Sequence, residues 1–244
     1  MLSRFLKYFS PVAALKSLGT GFREHRCPAC LQVHTGKGLC NNCKTSITLK
    51  PENSCGLCGK ELYTPDADCI TCQTSPRNLS SLNFYGMHTG LLREMIIGWK
   101  FNNNYGYNSL FQQFIGELCT QTPVDNTPDL IIPVPLHFSR LRERGFNQSL
   151  ILARGVSSAT GISLSEKALI RVRKTIPQTR LSGSERRTNL LSAFIADHSY
   201  VADKKILLID DVYTTGSTVD ECALSLIEAG AIRVDVLTLS RALI

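Results

Sequence analysis

The chain lacks any apolar run as long as a membrane-spanning helix. Hydrophobic residues make up 43% of its 244 residues, but polar residues interrupt every stretch before the roughly 20 residues that crossing a bilayer requires. It also lacks a secretory signal, because the apolar run near the N-terminus is too short and Pro11 interrupts the segment. We therefore expect a cytoplasmic protein without stable membrane insertion, and any association with the inner face of the membrane would run through partners.

The first 26 residues carry five basic residues, one acidic residue and apolar side chains at positions 2, 5, 6 and 9. This spacing favours a short amphipathic helix that packs on the protein or on a partner. An organellar transit peptide is a weaker interpretation of the same composition. Residues 1–26 are therefore predicted to form a separate basic amphipathic segment.

Residues 27–73, the cysteine-rich module, have few large apolar side chains but eight of the ten cysteines. About 50 such residues cannot bury enough surface to fold alone, so a metal is expected to supply the missing stability. The cysteines form four Cys-x-x-Cys pairs in a quasi-duplicated arrangement, which is typical of structural zinc sites with four thiolates each. The module is predicted to bind one or two Zn²⁺ ions. The predicted ligands are Cys27, Cys30, Cys40, Cys43, Cys55, Cys58, Cys69 and Cys72.

Other interpretations of these thiols stay open in part. A disulfide framework fits poorly without a secretory signal, and a redox couple needs fewer cysteines. An iron site uses the same ligands, and crossed pairing of the four Cys-x-x-Cys units is as compatible with the spacing as local pairing. His34 is a weak alternative ligand, whereas Cys119 and Cys222 lie on helical patterns and are predicted to be core residues.

Near the other end, apolar residues 206–209 lead into two carboxylates and a turn of threonines and glycine, in the string KILLIDDVYTTGST. The apolar run predicts a buried parallel strand, and the N-terminus of the following helix, residues 217–229, suits an anion. Gly216 lets the backbone approach a ligand closely. Because carboxylates repel phosphate, Asp210 and Asp211 are expected to face a hydroxylated group such as a ribose diol, bridged by Mg²⁺.

The same string resembles the thirteen-residue signature of type I phosphoribosyltransferases, which bind 5-phosphoribosyl 1-pyrophosphate (PRPP). The resemblance implies an α/β fold, a type I phosphoribosyltransferase-like parallel sheet with helices on both faces, over residues 81–244 and preceded by the small cysteine-rich zinc-binding module. It also implies that the acidic pair contacts the ribose hydroxyls of Mg²⁺-bound PRPP while the turn holds the 5′-phosphate. The PRPP-binding residues so assigned are Asp210, Asp211, Thr214, Thr215, Gly216, Ser217 and Thr218.

Positive charge is concentrated in residues 137–205, which hold 13 Lys or Arg against 5 Asp or Glu. Pyrophosphate accounts for part of this charge, and a nucleic acid strand could use the remainder. In the fold that the signature implies, the loop after strand 129–136 binds pyrophosphate, and a flexible loop within the stretch that follows strand 168–173 closes over the reaction centre. The candidates for these contacts are Lys100, Arg140, Arg142, Arg144, Gln148, Gln178, Arg180 and Arg186.

Between these motifs, the periodicity predicts strands at 82–87 and 234–240 and helices at 91–99 and 109–120. Asn147 is expected to cap the helix that starts after the basic loop.

From Cys27 onward the chain resembles the ComF competence family, on its tandem Cys-x-x-Cys pairs and the strings PVPL, RERGFNQ, PQTRLSGSERRTNLLSAF and IDDVYTTGST, with Lys100 and Phe101 after the first helix. This resemblance implies a protein of natural transformation that handles incoming single-stranded DNA or binds competence-machinery proteins such as a DNA translocase. Thr214 stands where base-salvage enzymes usually carry a carboxylate, so the sequence shows no general acid or base there.

Two hypotheses of different classes follow. The first is a zinc-containing PRPP-binding protein of DNA uptake, and the second is an active phosphoribosyltransferase for an unidentified base or amine. The GntX-like branch of the family suggests a third, weaker hypothesis of iron–sulfur or gluconate-linked physiology.

Overall fold

The computed structural model describes residues 25–65, 67–102, 104–120, 127–172 and 193–243. Its centre is a parallel sheet of four strands in the order β3-β8-β7-β4. Two short antiparallel pairs, β1 with β2 and β5 with β6, lie outside this sheet. The elements in chain order are β1 His25–Arg26, β2 Val33–His34, α1 Asn41–Thr45, α2 Ile70–Thr74, β3 Ser81–Met87, α3 Gly90–Phe101, α4 Tyr107–Thr120, β4 Leu130–Pro133, α5 Phe138–Arg144, α6 Gln148–Thr160, β5 Leu169–Arg171, β6 Phe194–Ala196, α7 His198–Val201, β7 Lys205–Tyr213, α8 Ser217–Glu228 and β8 Arg233–Arg241.

Strand β7 has apolar side chains on both sides, so both faces of the sheet need a cover. Leu207 and Ile209 pack with helices α3, α4 and α6, whereas Ile206 and Leu208 pack with α8 and the β5–β6 pair. Each fully buried side chain of this size contributes about 1.5–3 kcal/mol to folding. The predicted α/β fold, a parallel sheet with helices on both faces behind a cysteine-rich module, is confirmed.

The first helical layer is built around Trp99, which is fully buried. Its ring meets Phe111 edge to face at 5.0 Å, and its indole N–H donates to the Asn108 side chain at 2.6 Å. The predicted apolar face of α3 is confirmed, since Leu92, Met95, Ile96 and Trp99 are buried. This packing fixes the C-terminal end of α3, and with it Lys100, above the sheet.

Three local expectations differ from the structure. The strand predicted at 129–136 ends at Pro133, because Pro133 and Pro135 have no N–H for a ladder, and it lies at the edge of the four-stranded sheet rather than within it. Residues 138–144 of the predicted loop form helix α5, capped by His137 and ended by Gly145 at φ 76°. The strand predicted at 168–173 is the short β5, outside the main sheet.

The cysteine-rich module lies along the free edge of β3. The backbone N–H of Met87 donates to the Thr48 carbonyl at 2.8 Å, that of Lys50 to the Tyr85 carbonyl at 3.3 Å, and that of Leu82 to the Gly56 carbonyl at 2.6 Å. The module therefore continues the hydrogen bonding of the sheet. The boundaries at 27–73 and 81–244 stay a prediction, and these hydrogen bonds join the two stretches along β3.

Candidate functional site

The acidic pair lies at the carboxyl end of β7, within the sheet's C-terminal edge. Asp211 is buried and forms an ion pair with Lys100, Nζ to Oδ1 2.7 Å. The Oδ1 atom of Asp210 accepts hydrogen bonds from the Ser149 hydroxyl and from the Asp211 backbone N–H, both at 2.9 Å. Three elements, β7, α3 and α6, thus converge on the two carboxylates that the sequence singled out.

The surroundings of the Asp210 carboxyl disfavour its charged form. Burial, and then the neighbouring charge of Asp211, raise the pKa of Asp210 to about 7, while Lys100 and the Ser149 hydroxyl oppose the rise. A carboxylate held this way gains from a bound cation or from hydroxyl donors, which stabilise its charged form. A ribose diol with Mg²⁺ supplies both, so the chemistry of the pair fits the ligand expected from the sequence.

The phosphate turn, residues 214–218, joins β7 to α8. Gly216 has φ 81°, and a Cβ at this position would stand 2.1 Å from the Tyr213 hydroxyl oxygen. The hydroxyl oxygens of Thr215 and Ser217 lie 2.8 Å apart, and Ser217 starts the helix. The turn thus wraps over the buried Tyr213 ring and presents hydroxyls and the first N–H groups of a 12-residue helix, an arrangement that suits an anion.

The arginines of the basic segment divide into two groups. Arg140 is partly buried. Burial lowers the pKa of Arg171 and the charge of Arg140 lowers it further, while Cys222, Glu221 and, last, Asp210 oppose the decrease. Arg171 was missed by the sequence analysis, because a short strand residue carries no motif. Arg171 lies over the ring of Phe194, 5.2 Å from its centroid. Arg142 and Arg144 lie over exposed rings, Arg142 5.9 Å from the Phe138 centroid and Arg144 5.0 Å from that of Phe101.

Gln148 opens helix α6 beside Ser149, after the predicted cap Asn147, whose side chain accepts from the Ser149 N–H. Only 1% of Gln148 is exposed, and neither polar atom of its amide has a hydrogen-bond partner among the described residues. Such a group is costly unless something satisfies it. Gln148 precedes Ser149, whose hydroxyl donates to Asp210, so its amide is placed where it could bind a ligand of the acidic pair. Gln178, Arg180 and Arg186 lie outside the described residues.

His88 follows β3 at the same edge of the sheet and was also missed. Its Nδ1 lies 3.0 Å from the Ser240 hydroxyl at the end of β8. Burial lowers the pKa of His88, the cations Lys100 and Arg93 lower it further, and Asp211 opposes them. The side chain therefore shares the electrostatic environment of the acidic pair. The signal in the sequence was a titratable residue directly after a predicted strand.

The eight predicted thiol ligands form two groups of four in the structure, each with its sulfurs within 4.8 Å of one another. Neighbouring sulfurs lie 3.6 Å apart for Cys30 and Cys40, and 3.5 Å apart for Cys58 and Cys69. Sulfurs 2.3 Å from a tetrahedral zinc lie about 3.8 Å apart, so the geometry fits one ion per group. The pairing is local: Cys27, Cys30, Cys40 and Cys43 form the first cluster, and Cys55, Cys58, Cys69 and Cys72 the second.

The two clusters contact opposite faces of the sheet. The first packs on helix α4, where the Tyr107 hydroxyl donates to the Pro28 carbonyl at 3.2 Å. At the second, the Nε atom of the buried Arg241 donates to the Cys58 carbonyl at 2.9 Å. His34 bonds the Gly38 carbonyl and belongs to neither cluster, and Cys119 and Cys222 are buried as predicted.

Within the described part of the chain, no helix combines the length and hydrophobicity that a membrane span needs.

A scan against protein-family models found no match. Solved structures that share the α/β architecture include a glutamine PRPP amidotransferase from B. subtilis, at 24% identity over 54% of this chain and 26% of that one, TM-score 0.39. An adenine phosphoribosyltransferase from Leishmania tarentolae aligns at 13% identity over 59% of this chain and 74% of that one, TM-score 0.38. These likenesses are too distant to bear on the function.

Similarity in sequence is much stronger. Competence protein F of Haemophilus influenzae is 31% identical over 91% of this chain and 99% of its own length. DNA utilization protein YhgH of Escherichia coli strain K12 is 33% identical over 84% of this chain and 91% of its own. Competence protein ComFC of Streptococcus pneumoniae is 29% identical over 83% and 87%. Near-complete coverage at this identity shows that the chain belongs to the ComF family of competence proteins.

Proposed function

We propose that this chain binds Mg²⁺-bound PRPP at the carboxyl edge of its sheet and acts in the uptake and use of DNA. One observation carries the PRPP proposal: two adjacent carboxylates stand beside a turn built for an anion, with Lys100 holding Asp211. In this assignment Asp210 and Asp211 contact the ribose hydroxyls and residues 214–218 hold the 5′-phosphate. Arg140, Arg171 and Gln148 face the pyrophosphate.

The cellular role is proposed from the family. Relatives that match most of this chain are named for competence and for DNA utilization. We assign to this chain the handling of incoming single-stranded DNA, or of a partner such as a DNA translocase, on the cytoplasmic side of the membrane. Each cysteine cluster is proposed to hold one structural zinc, since its four sulfurs lie within 4.8 Å of one another, a spacing that suits a single tetrahedral ion.

Calorimetric titration of PRPP with Mg²⁺ tests the site. We expect saturable binding to the wild type and no measurable binding to the Asp210→Asn/Asp211→Asn variant, because amides cannot balance the magnesium charge. Glu94→Gln, an exposed substitution on α3, is the control and should bind like the wild type. Wild-type protein that is folded yet shows no heat of binding would overturn the PRPP assignment.

A single strand of DNA has a suitable surface next to this site. Phe101, Tyr105 and Phe138 are 61%, 51% and 68% exposed, and Arg142 and Arg144 lie over two of these rings. We call these five residues the aromatic–arginine surface. Exposed rings stack on bases and guanidinium groups bind phosphates, which together bind single strands without reading their sequence.

The Phe138→Ala/Arg142→Glu variant is expected to weaken binding of a single-stranded oligonucleotide at least tenfold, because stacking alone is worth about 1–3 kcal/mol per base. Tyr63→Ala is a matched control, since Tyr63 is fully exposed on the cysteine-rich module. Fluorescence anisotropy over a salt series measures both effects, and the variant should show a shallower salt dependence than the wild type. If the double variant and the control lose the same affinity for the oligonucleotide, single-stranded DNA does not bind at the aromatic–arginine surface.

An active phosphoribosyltransferase is the second candidate function. It is favoured by His88, a group able to take up a proton beside the acidic pair. Release of pyrophosphate from PRPP in the presence of a small acceptor distinguishes an enzyme from a protein that only binds PRPP.

A further inference from the structure

We propose that His88 accepts the proton of the acceptor molecule in a phosphoribosyl transfer at this edge of the sheet. The inference rests on the proposed PRPP site and adds to it a proton acceptor on the side of the acidic pair that faces β8 and β3. Thr214 and Thr215 offer only hydroxyls where the phosphate turn begins, and hydroxyls do not take up a proton at neutral pH.

The strand order places His88 on the acceptor side. Across the edge the strands run β3-β8-β7-β4. The acidic pair on β7 would hold the ribose, and the basic groups Arg140 and Arg171 lie beyond it, after β4 and on β5. A displacement at C1 of the ribose needs the incoming group opposite the departing pyrophosphate. The acceptor therefore approaches over β8 and β3, where Ser240 is the penultimate residue of β8 and His88 follows the last residue of β3.

The contacts of His88 orient its ring for this role. Its backbone N–H donates to the Arg241 carbonyl at 2.8 Å, which fixes the main chain. Its Nδ1 bonds the Ser240 hydroxyl at 3.0 Å, which fixes the ring. Among the described residues only Nδ1 of this ring has a hydrogen-bond partner, so Nε2 is the atom assigned to meet an incoming group.

The charges around the ring keep it ready to receive a proton. Burial makes the largest contribution to the lowered pKa of His88. Lys100 and Arg93, both from α3, also disfavour the imidazolium, whereas Asp211 from β7 favours it. The lowered pKa favours the neutral imidazole, which is the form that accepts a proton. Binding of anionic PRPP nearby would stabilise the imidazolium once it forms.

The transfer is balanced as follows. The nitrogen lone pair of the acceptor forms a bond to C1 of PRPP while the bond from C1 to the pyrophosphate oxygen breaks, and its electron pair leaves with the pyrophosphate. The extra proton on the nitrogen passes to Nε2 of His88 and from there to solvent. The acceptor class is therefore a neutral N–H nucleophile, an amine or a ring nitrogen of a nucleobase, with water as a poorer substitute.

The experiment compares the wild type with His88→Gln, which preserves a polar side chain of similar reach but accepts no proton near neutral pH. Pyrophosphate release from Mg²⁺-bound PRPP is measured with adenine, guanine, hypoxanthine, uracil, ammonia (supplied as an ammonium salt, with the rate expressed per free ammonia) and water as acceptors, from pH 5.5 to 9. Calorimetry gives the PRPP affinity of each protein in the same buffers. His198→Gln, an exposed histidine that bonds the Ala229 carbonyl at the far end of α8, is the control.

We expect the wild type to release pyrophosphate faster than buffer with at least one acceptor, at a rate that falls with protonation of one group at low pH. His88→Gln should lower that rate about 10²-fold or more, remove the acidic limb, and keep its PRPP affinity within threefold. A His88→Gln rate within threefold of wild type, or no release above buffer by the wild type, overturns the inference while PRPP binding stands. Absence of PRPP binding would overturn the proposed function itself.

Discussion

Replacing Cys58 by serine is expected to remove one zinc equivalent from the purified protein and to weaken PRPP binding as well as stability. Losing one of four thiolates releases the ion, and structural zinc contributes about 10–16 kcal/mol to small zinc domains. The packing of the second cluster against the sheet limits the loss to local unfolding of the module. We expect a fall in melting temperature of about 10 °C or more, which corresponds to a loss of several kcal/mol.

The effect on PRPP follows from what the second cluster touches. Arg241, the last residue of β8, donates to the Cys58 carbonyl. The next residue, Ala242, donates its backbone N–H to the Tyr213 carbonyl at 2.8 Å. The Tyr213 ring supports Gly216. Burial raises the pKa of Tyr213 to about 12, and charges on Cys58 and Cys72 act in the same direction, so the ring and this cluster are neighbours.

Cys30→Ser in the first cluster is the informative comparison. This variant should also lose one zinc equivalent. The first cluster packs on α4 through Cys27 and Cys40, away from the phosphate turn, so the PRPP affinity should stay within a few-fold of wild type. Cys119→Ser removes a buried thiol outside both clusters and should retain both ions. Metal analysis, thermal unfolding and calorimetry measure the three variants. Equal PRPP affinities for Cys58→Ser and Cys30→Ser would refute the proposed coupling.

Gly216→Ala is expected to abolish PRPP binding, with a loss of at least 100-fold. At φ 81° any side chain is strained by about 1–2 kcal/mol, and here the added Cβ would also stand 2.4 Å from Cζ of Tyr213. The ring is packed in the core and cannot withdraw, so the turn must move. A displaced turn no longer aims its N–H groups at the phosphate.

The Gly161→Ala variant distinguishes the effect of backbone strain from that of a steric clash with the Tyr213 ring. Gly161 ends helix α6 at φ 75°, yet a Cβ there meets nothing within 4 Å. This variant should lose about 1–2 kcal/mol of stability from the left-handed backbone alone and bind PRPP normally. Thermal unfolding and calorimetry on both variants measure the difference. A Gly216→Ala protein that binds PRPP like Gly161→Ala would show that the turn does not contact the ligand.

Patterns with a strict period or spacing made most of the architecture predictable. The apolar run before Asp210 forms a buried strand, the helical face around Trp99 is buried, and the eight regularly spaced cysteines form two groups of four, all as predicted. The choice between local and crossed thiol pairing was not predictable, because both arrangements use the same spacing. It depends on how residues 44–54 pass the edge of β3, which is a tertiary contact.

The residues that contact the acidic pair were harder to predict from the sequence. Lys100 was selected from its place after a helix, but Ser149 and Arg171 carry no local signature and come close to Asp210 only through the packing of α6 and β5. Helix α5 was missed because a seven-residue segment with three arginines and only two apolar residues, Phe138 and Leu141, is too short to show a clear apolar periodicity. Its formation turns Arg142 and Arg144 toward the rings of Phe138 and Phe101, which no linear pattern reveals.

The segment around Leu49 runs antiparallel to the outer strand of an otherwise parallel sheet. An uncovered strand of this kind, with free N–H and C=O groups, would recruit a second chain and start aggregation. By covering this strand, the cysteine-rich module therefore also prevents self-association. A shortened protein that starts at residue 81 would expose this strand and is expected to precipitate even though its ligand-binding residues are all present.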